Sequence, residues 1–582
     1  MINHLKRIQN HYFQKTKAIC LNIIPLFPYK KRRLSYGKIS RSGKTVAQQE
    51  NMHEMRCNKP NTGKKMSTMS ISGASSESQG RTRHLNFFIN KPSSLRVIFL
   101  FPLQVETVMP ETKFKKSEDF NEWYNEIVEL ADLCDKRYPI KGMNVWRPYG
   151  WKLMSHVDKL IRLEMDKTNH QEVMFPLLIP ERLFQKEADH IKGFGSEVFW
   201  ITHAGQNELE ERWLLRPTSE TAMYPVFSQW IRSHADLPLK TYQIVNSFRY
   251  ETKQTRAFIR VREIHFFEAH TCHVDFNDAE CQIEQDKQIA DRLLKKLCLP
   301  YIFNKRPEWD KFAGAFYTIS IDVLMPSGRT LQLGSIHQYK DNFSKPYDIT
   351  YETEEGTHAH CHQTTYGMSE RLLGAVVGIH GDDNGLILPP DVSPIQVVIV
   401  PIIFKDTREK VLNVCHEVAE QLTNKGLRIH VDQRDLNPGN KFYEWELKGV
   451  PLRIEIGPRD ISNNQVVLVS RDNGEKKNIA RDDLIPTVEL SLDEMSQRLL
   501  KRAETLLDEK NHVVDTLDEA KECDGIIQLP WCGTDSCALE VEEILDGNTL
   551  GEPVTNYESV TQKKCVTCGK QAKTWMRFAK TY

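Results

Sequence analysis

Residues 248–263, FRYETKQTRAFIRVRE, constrain the fold of this chain more than any other segment. Bulky or apolar residues alternate with charged ones at 248–251 and again at 258–263, the period-two pattern of strands. The polar residues 252–256 read as the loop between them. The predicted ribbon carries Arg249, Arg256, Arg260 and Arg262 with Glu251 and Glu263. Guanidinium is permanently charged and forks onto phosphate or carboxylate, so arginines at alternate positions suit a polyphosphate. A solvated face of Arg–Glu pairs is the alternative, and for the ribbon in isolation it is the better one.

The 582 residues suffice for three or four domains. Lys+Arg and Asp+Glu both number 78, so global charge points to no nucleic acid, and any basic surface has to be local. No apolar run reaches transmembrane length, so no membrane association is expected. Residues 1–49 lack Asp and Glu and carry basic residues from Lys6 to Lys44. A basic, acid-free leader suggests organellar transit; a tail, or an upstream sequence joined to a protein starting near Met109, are the alternatives. Residues 1–108 are set aside as a disordered or transit-like extension.

Folded sequence is expected from Ser117. Asp119 and Glu122 form a capping box before an apolar helical stripe, and a second helix spans roughly 150–168 with Met154, Val157 and Ile161 on one face. An extended run, 172–179, contains Pro176, which argues for an edge or interface position. Further strands are predicted at 213–215, 242–251, 258–267 and 330–333. Many strands with few crossover helices indicate an antiparallel-rich α+β domain over 109–389. After the linker PPDVSP (389–394) the pattern changes to α/β alternation over 390–488, about a hundred residues. Ser491 and Glu494 then suggest a capping box opening a helix in a last domain, 489–582.

Several segments carry chemistry only weakly when taken singly. LRPTSET puts Thr218 and Glu220 two apart, on one face of a strand and suited to an ammonium or imino group; Thr-Ser-Glu is also a common helix cap. Arg371 opens an apolar helical stretch, where it opposes the helix dipole unless an anion compensates; phosphate is one candidate and Glu370 the other. His358, His360, Cys361 and His362 are too crowded to converge on one ion and read as a loop. Cys532-x4-Cys537 and Cys565-x2-Cys568 supply four thiolates in two short loops, the spacing of a closed structural zinc site. Otherwise scattered cysteines point to a reducing compartment, the cytoplasm, with an organelle as the alternative.

Taken in order, these segments resemble class II aminoacyl-tRNA synthetases, and among them prolyl-tRNA synthetases of the archaeal and eukaryotic type. The resemblance runs from about 117 to 582. Residues 150–176, 249–260 and 367–388 look like the three class motifs, with LRPTSET and WELKGVPLRIEIGPRD (445–460) beside them. It implies a class II antiparallel catalytic domain, an α/β anticodon-binding domain and a small C-terminal zinc-binding α+β domain. It implies a homodimer, with Pro176 at the interface, that joins L-proline to tRNA(Pro) using ATP and Mg²⁺, with a structural Zn²⁺. By position, Thr218 and Glu220 match the imino-group pair, and Arg249 the arginine between proline carboxylate and α-phosphate. Glu251 and Arg260 match ATP contacts; Phe266, Glu268, His270 and His337 match the proline pocket. Gln332 and Ser335 match nucleotide contacts, and Ser369 and Arg371 the third-motif pair, with Arg371 on the γ-phosphate. Ser335 stands where threonine is expected, and Phe266 where some relatives have tryptophan. Tyr582 matches a final tyrosine that approaches the site. Lys441, Lys448, Arg453 and Arg459 are candidates for tRNA phosphates, with a solvated face equally favoured. With no inserted editing domain between Glu263 and Arg371, some alanine misactivation is expected. A threonyl-type ligase and an inactive RNA-binding paralogue are the rivals.

Overall fold

The structure, a computed structural model, describes residues 112–186, 195–554 and 559–582. The basic leader and the proposed start near Met109 lie outside these residues.

At the centre is an antiparallel sheet in the order Ile302–Lys305, Tyr317–Leu324, Thr330–Lys340, His362–Ser369, Glu263–His273, Leu239–Phe248, with Gln171–Glu172 added in parallel at the edge. Helices Pro148–Asp166 and Phe276–Lys296 pack against each other, and Phe276–Lys296 also packs on the central strands. Each turns its apolar stripe inward: Leu153, Met154, Val157 and Ile161 on the first, Ile283, Ile289, Leu293 and Leu294 on the second. Helix Phe120–Leu130 is capped by Asp119, which accepts from the amides of Asn121 and Glu122. Helix Arg371–His380 is buried along its length and continues directly from the strand before it.

The ribbon predicted at 248–263 needs correction. The ladder stops at Phe248 and Glu263, and the residues between them form a loop. The Arg249 amide donates to Arg262 O at 3.0 Å, but the Arg262 amide turns away to Gly142 O at 2.8 Å. Phe258, at φ +59°, folds beneath the loop and is buried with Ile259. The loop buries the consecutive residues Ala257, Phe258 and Ile259, which is not the pattern of a strand. Pro176 is likewise in no strand; it lies between Gln171–Glu172 and Leu178–Pro180, consistent with its missing N–H.

The second sheet orders Ile429–Val431, Val397–Pro401, Leu452–Ile456, Gln465–Ser470 and Lys476–Ala480, parallel in the first three and antiparallel in the last. Helix Arg408–Thr423 covers it. The helix predicted to open at Ser491 begins at Leu484 and runs to Glu509. Leu484, Val488 and Leu492 belong to the core of the second sheet, whereas Met495 and Leu499 pack against Cys298 and Ile387. The apolar stripe thus extends a full two turns upstream, and buried Ser491 caps nothing.

The C-terminal strands Asn511–Val513, Ile526–Trp531, Thr574–Ala579 and Asn548–Pro553 do not form a separate sheet. Glu552 pairs with Lys305 and Pro553 with Asn304, which makes one sheet of 11 strands with the central one.

Candidate active site

Strand register gathers the side chains. His337 lies opposite Thr365, and Thr365 opposite His270; Ser335 lies opposite Gly367, and Gly367 opposite Glu268. Side chains two apart share a face, so Ser335, His337 and Tyr339 line up on one strand and Phe266, Glu268 and His270 on another. Gly367 leaves room for this layer: a Cβ there would lie 2.9 Å from the Phe266 ring. Thr218 and Glu220 are not on a strand as predicted. They sit at the start of helix Glu220–Trp230, whose buried first turn aims them at the sheet.

Above this layer is a cavity of about 350 Å³. Arg249 and Arg371 both line it, from the loop after Phe248 and the first turn of helix Arg371–His380. So do Glu251, Arg260, Gln332, Ser335 and Ser369, and, at the other end, Thr218, Glu220, Phe266 and His337. Glu268 and His270 do not reach it. They are fully buried one layer beneath and hold the residues that do.

That layer is a closed polar network. Thr218 Oγ1 is 2.6 Å from Glu220 Oε2 and 3.1 Å from Glu268 Oε2, so one hydroxyl proton serves two carboxylates. Tyr339 donates to the other Glu220 oxygen at 2.8 Å. Ser219 and Gln243 donate to Glu268, and His270 Nε2 lies 3.3 Å from it. Burial pushes the Glu268 carboxyl up, but the bond and charge of His270 and the Ser219 and Gln243 bonds outweigh it and bring it to about 2. Burial pulls the His270 imidazole down; its bond to Glu268 and the charges of Glu220 and Glu268 more than reverse this, and its pKa rises. His337 behaves oppositely: burial, then the charges of His270 and Arg249, take it down to about 3. It is neutral at physiological pH, with Nδ1 2.9 Å from Thr318 Oγ1 and Nε2 2.9 Å from Ser335 Oγ.

At the other end the cavity is lined by two buried guanidiniums. Arg371 donates from Nε to Ile259 O at 2.8 Å and from Nη1 to Gln332 O at 3.0 Å, both neutral acceptors. Burial and then the charge of Arg249 lower its pKa to about 10. Burial lowers that of Arg249 too, against the charges of Glu197, Glu220 and Glu268. Two buried guanidiniums on one cavity, one of them depressing the other's protonation, suit a polyanion between them. The alternative partner, Glu370, makes no hydrogen bond to Arg371; its Oε2 is buried without a partner, and burial raises its carboxyl to about 7.

Sequence reasoning missed three aromatic residues. The Phe312 ring is 4.6 Å from that of His337, Tyr339 stacks on His337 at 6.0 Å, and Tyr224 OH is 3.2 Å from His270 Nδ1. The i, i+2, i+4 spacing of Ser335, His337 and Tyr339 was the available signal for one of them.

Residues 199–380 match the family model for the tRNA synthetase class II core domain (G, H, P, S and T), 396–490 that for the anticodon binding domain, and 514–582 that for the prolyl-tRNA synthetase C-terminal domain. A proline–tRNA ligase of Thermococcus kodakarensis is 56% identical over 475 residues, 80% of this chain and 99% of the relative. The chain belongs to the proline–tRNA ligase family. Another family member, from Methanopyrus kandleri, is 46% identical over 477 residues, 81% of this chain and 98% of its own. A solved Giardia lamblia prolyl-tRNA synthetase in complex with prolyl-adenylate superposes with a TM-score of 0.77 at 37% identity, covering 80% of this chain and 98% of that one.

Within this ligase fold the four candidate tRNA cations differ. Lys441 is buried and donates to Asp432 O; Lys448 pairs with Asp132 and Glu444, and Arg453 with Glu446 and Glu455. Arg459 is the exposed one of the four. Cys532, Cys537, Cys565 and Cys568 bring their sulfurs within 4.8 Å of one another. The 3.7 Å separations of Cys532 from Cys537 and from Cys568 match the edge of about 3.8 Å that four Zn–S bonds of about 2.3 Å impose on a tetrahedron. His358–His360, read from the sequence as a loop, instead forms a short strand paired with Thr350–Glu352, and His362 opens the next strand. Among the described residues no helix is long and apolar enough to cross a membrane.

Proposed function

We infer that the chain is a proline–tRNA ligase, which activates L-proline with ATP to prolyl-adenylate and transfers the prolyl group to the 3′ end of tRNA(Pro). The observation that carries this reading is the convergence of Arg249 and Arg371 on one cavity whose far end is a small polar pocket of Thr218, Glu220 and His337. The imino group, as an ammonium, donates to Thr218 and Glu220, while Phe266 and Phe312 flank the ring. The proline carboxylate points at Arg249. Its oxygen attacks the α-phosphorus, the bond to the bridging oxygen breaks, and diphosphate leaves beside Arg371. Both reactants are anions, so the two arginines cancel their repulsion and stabilise the charge on the phosphoryl group. No proton moves, because the carboxylate is already ionised. In the second half the ribose hydroxyl of tRNA attacks the carbonyl carbon and AMP departs, its phosphate taking the hydroxyl proton. Neutral His337 supplies a hydrogen bond without adding positive charge to the pocket.

Magnesium accompanies the triphosphate; Gln332, Ser335 and Glu251 offer it hard oxygen ligands, and bound there it would neutralise phosphate charge. The four cysteines hold a zinc ion with no open position, which makes it structural. A homodimer is supported by exposed apolar side chains on and beside the first-motif helix, Val145, Trp151, Leu163 and Met174. Reduced, scattered cysteines favour the cytoplasm, and the basic leader favours an organelle; the destination of a reporter fused to residues 1–108 decides between them.

Arg249→Ala is expected to abolish proline-dependent pyrophosphate exchange, measured across a panel of amino acids. Exchange retained in that variant, or driven by threonine in the unmodified chain, would overturn the assignment.

A further inference from the structure

A second cavity, of about 320 Å³, opens on the far side of Arg371 and shares Arg306, Asp310, Gln332 and Arg371 with the first. Its make-up is unlike that of the triphosphate site. One wall is the ring of Trp309, which is 36% exposed although it lies between two residues of the reaction cavity. Thr330 and Thr549 also line it, in residues 1% and 2% exposed whose hydroxyls are buried beneath the surface. The Glu542 carboxylate and the Asn548 side chain complete the rim. Arg306 bonds to Asp310 and, through Nη1, to Leu550 O at 2.9 Å, so its charge is already partnered.

An aromatic residue with a carboxylate and an amide beside it matches a nucleobase, and in particular cytosine. Its exocyclic amine donates to a carboxylate such as Glu542, and its ring nitrogen and carbonyl accept from an amide such as Asn548. The site adjoins the place where a terminal ribose must meet the adenylate. The loop residue Arg256 lies over the Tyr582 ring at 5.6 Å, and Tyr582 lines this same cavity, so it opens beside the second-motif loop.

We propose that this cavity binds the cytidine next to the terminal adenosine of the tRNA 3′ end, with the base stacked on Trp309. The proposal rests on the ligase reading above and concerns only its second half. Stacking there places the terminal ribose at the adenylate and leaves adenylate formation untouched.

The test uses the full chain with ATP, proline and tRNA. Trp309→Ala is expected to keep proline-dependent pyrophosphate exchange within about twofold, and to slow single-turnover transfer from preformed adenylate by about tenfold, in the range of base-on-aromatic stacking. Trp309→Phe should recover most of the rate. A tRNA carrying uridine in place of that cytidine should slow transfer by the unmodified enzyme and add little to the loss in Trp309→Ala. Unchanged transfer in Trp309→Ala, an equal fall in its exchange, or an undiminished cytidine-to-uridine penalty in that variant would each overturn the proposal. Failure of the ligase reading itself would show differently, as absence of proline-dependent exchange in the unmodified chain.

Discussion

Glu268 and His270 form an ion pair that never meets solvent, 3.3 Å apart beneath the substrate cavity. Their titrations give the pair a pH window. The His270 pKa is raised above its ordinary 6.5, so its contribution is complete below that value and is lost as pH rises through the higher folded pKa. Glu268, held at about 2 against an ordinary 4.5, contributes above 4.5 and loses its share only as pH falls toward 2. His270→Gln should therefore cost most near pH 5.5, about 3 kcal/mol for a broken buried pair, and clearly less at pH 9. Thermal unfolding of both proteins at the two pH values checks this; a constant difference would mean that the imidazole is neutral throughout. Many of the residues facing the cavity, Arg249 and Arg371 among them, could be named from the sequence because its family resemblance carries them over position by position. Phe312 in a loop, Tyr224 in a helix and Tyr339 in a strand were not, since their roles arise only when distant segments meet, and a lone aromatic residue ordinarily means core.

At the scale of elements, helix Arg371–His380 must approach the loop under Phe258 very closely. A Cβ on Gly374 would stand 2.7 Å from Phe258 O and 3.2 Å from the Tyr124 hydroxyl. Since Arg371 Nε is bonded to Ile259 O in the same loop, any separation of helix and loop displaces the guanidinium. Gly374→Ala is expected to destabilise by about 1–3 kcal/mol through overpacking and to lower pyrophosphate exchange about tenfold. Wild-type exchange rates would show that the loop yields without moving Arg371. Elements with strong periodicity, such as those around Met154 and Val397, were predicted within a few residues. The errors cluster where local pattern and tertiary demand diverge. The 249–262 loop alternates like a strand in sequence yet buries the adjacent Phe258 and Ile259, and Ser491 resembles a cap although the stripe upstream of it has its own core to cover.

For the whole molecule, the decisive feature is the sheet of 11 strands that runs from the cysteine cluster into the substrate site. Strand Asn548–Pro553 joins the two parts, and its Leu550 carbonyl holds Arg306 at the cavity. A metal held by the four cysteines would thus support the far side of the active site through continuous backbone pairing. Removing zinc with a chelator, or Cys565→Ser, should lower the thermal midpoint by roughly 5 °C or more. It should also reduce exchange, with metal content followed in parallel; a full loss of metal with unchanged midpoint would separate the cluster from the rest of the sheet.

Helix Leu484–Glu509 belongs to two neighbours at once, with its first turns in one hydrophobic core and its middle against Cys298 and Ile387. It works as a splint across what would otherwise be a hinge. A fragment cut after residue 488 would sever that splint and strip Leu492 from its packing, so the anticodon-binding module cannot be excised at the border its sequence suggests; it has to be taken with the whole rod.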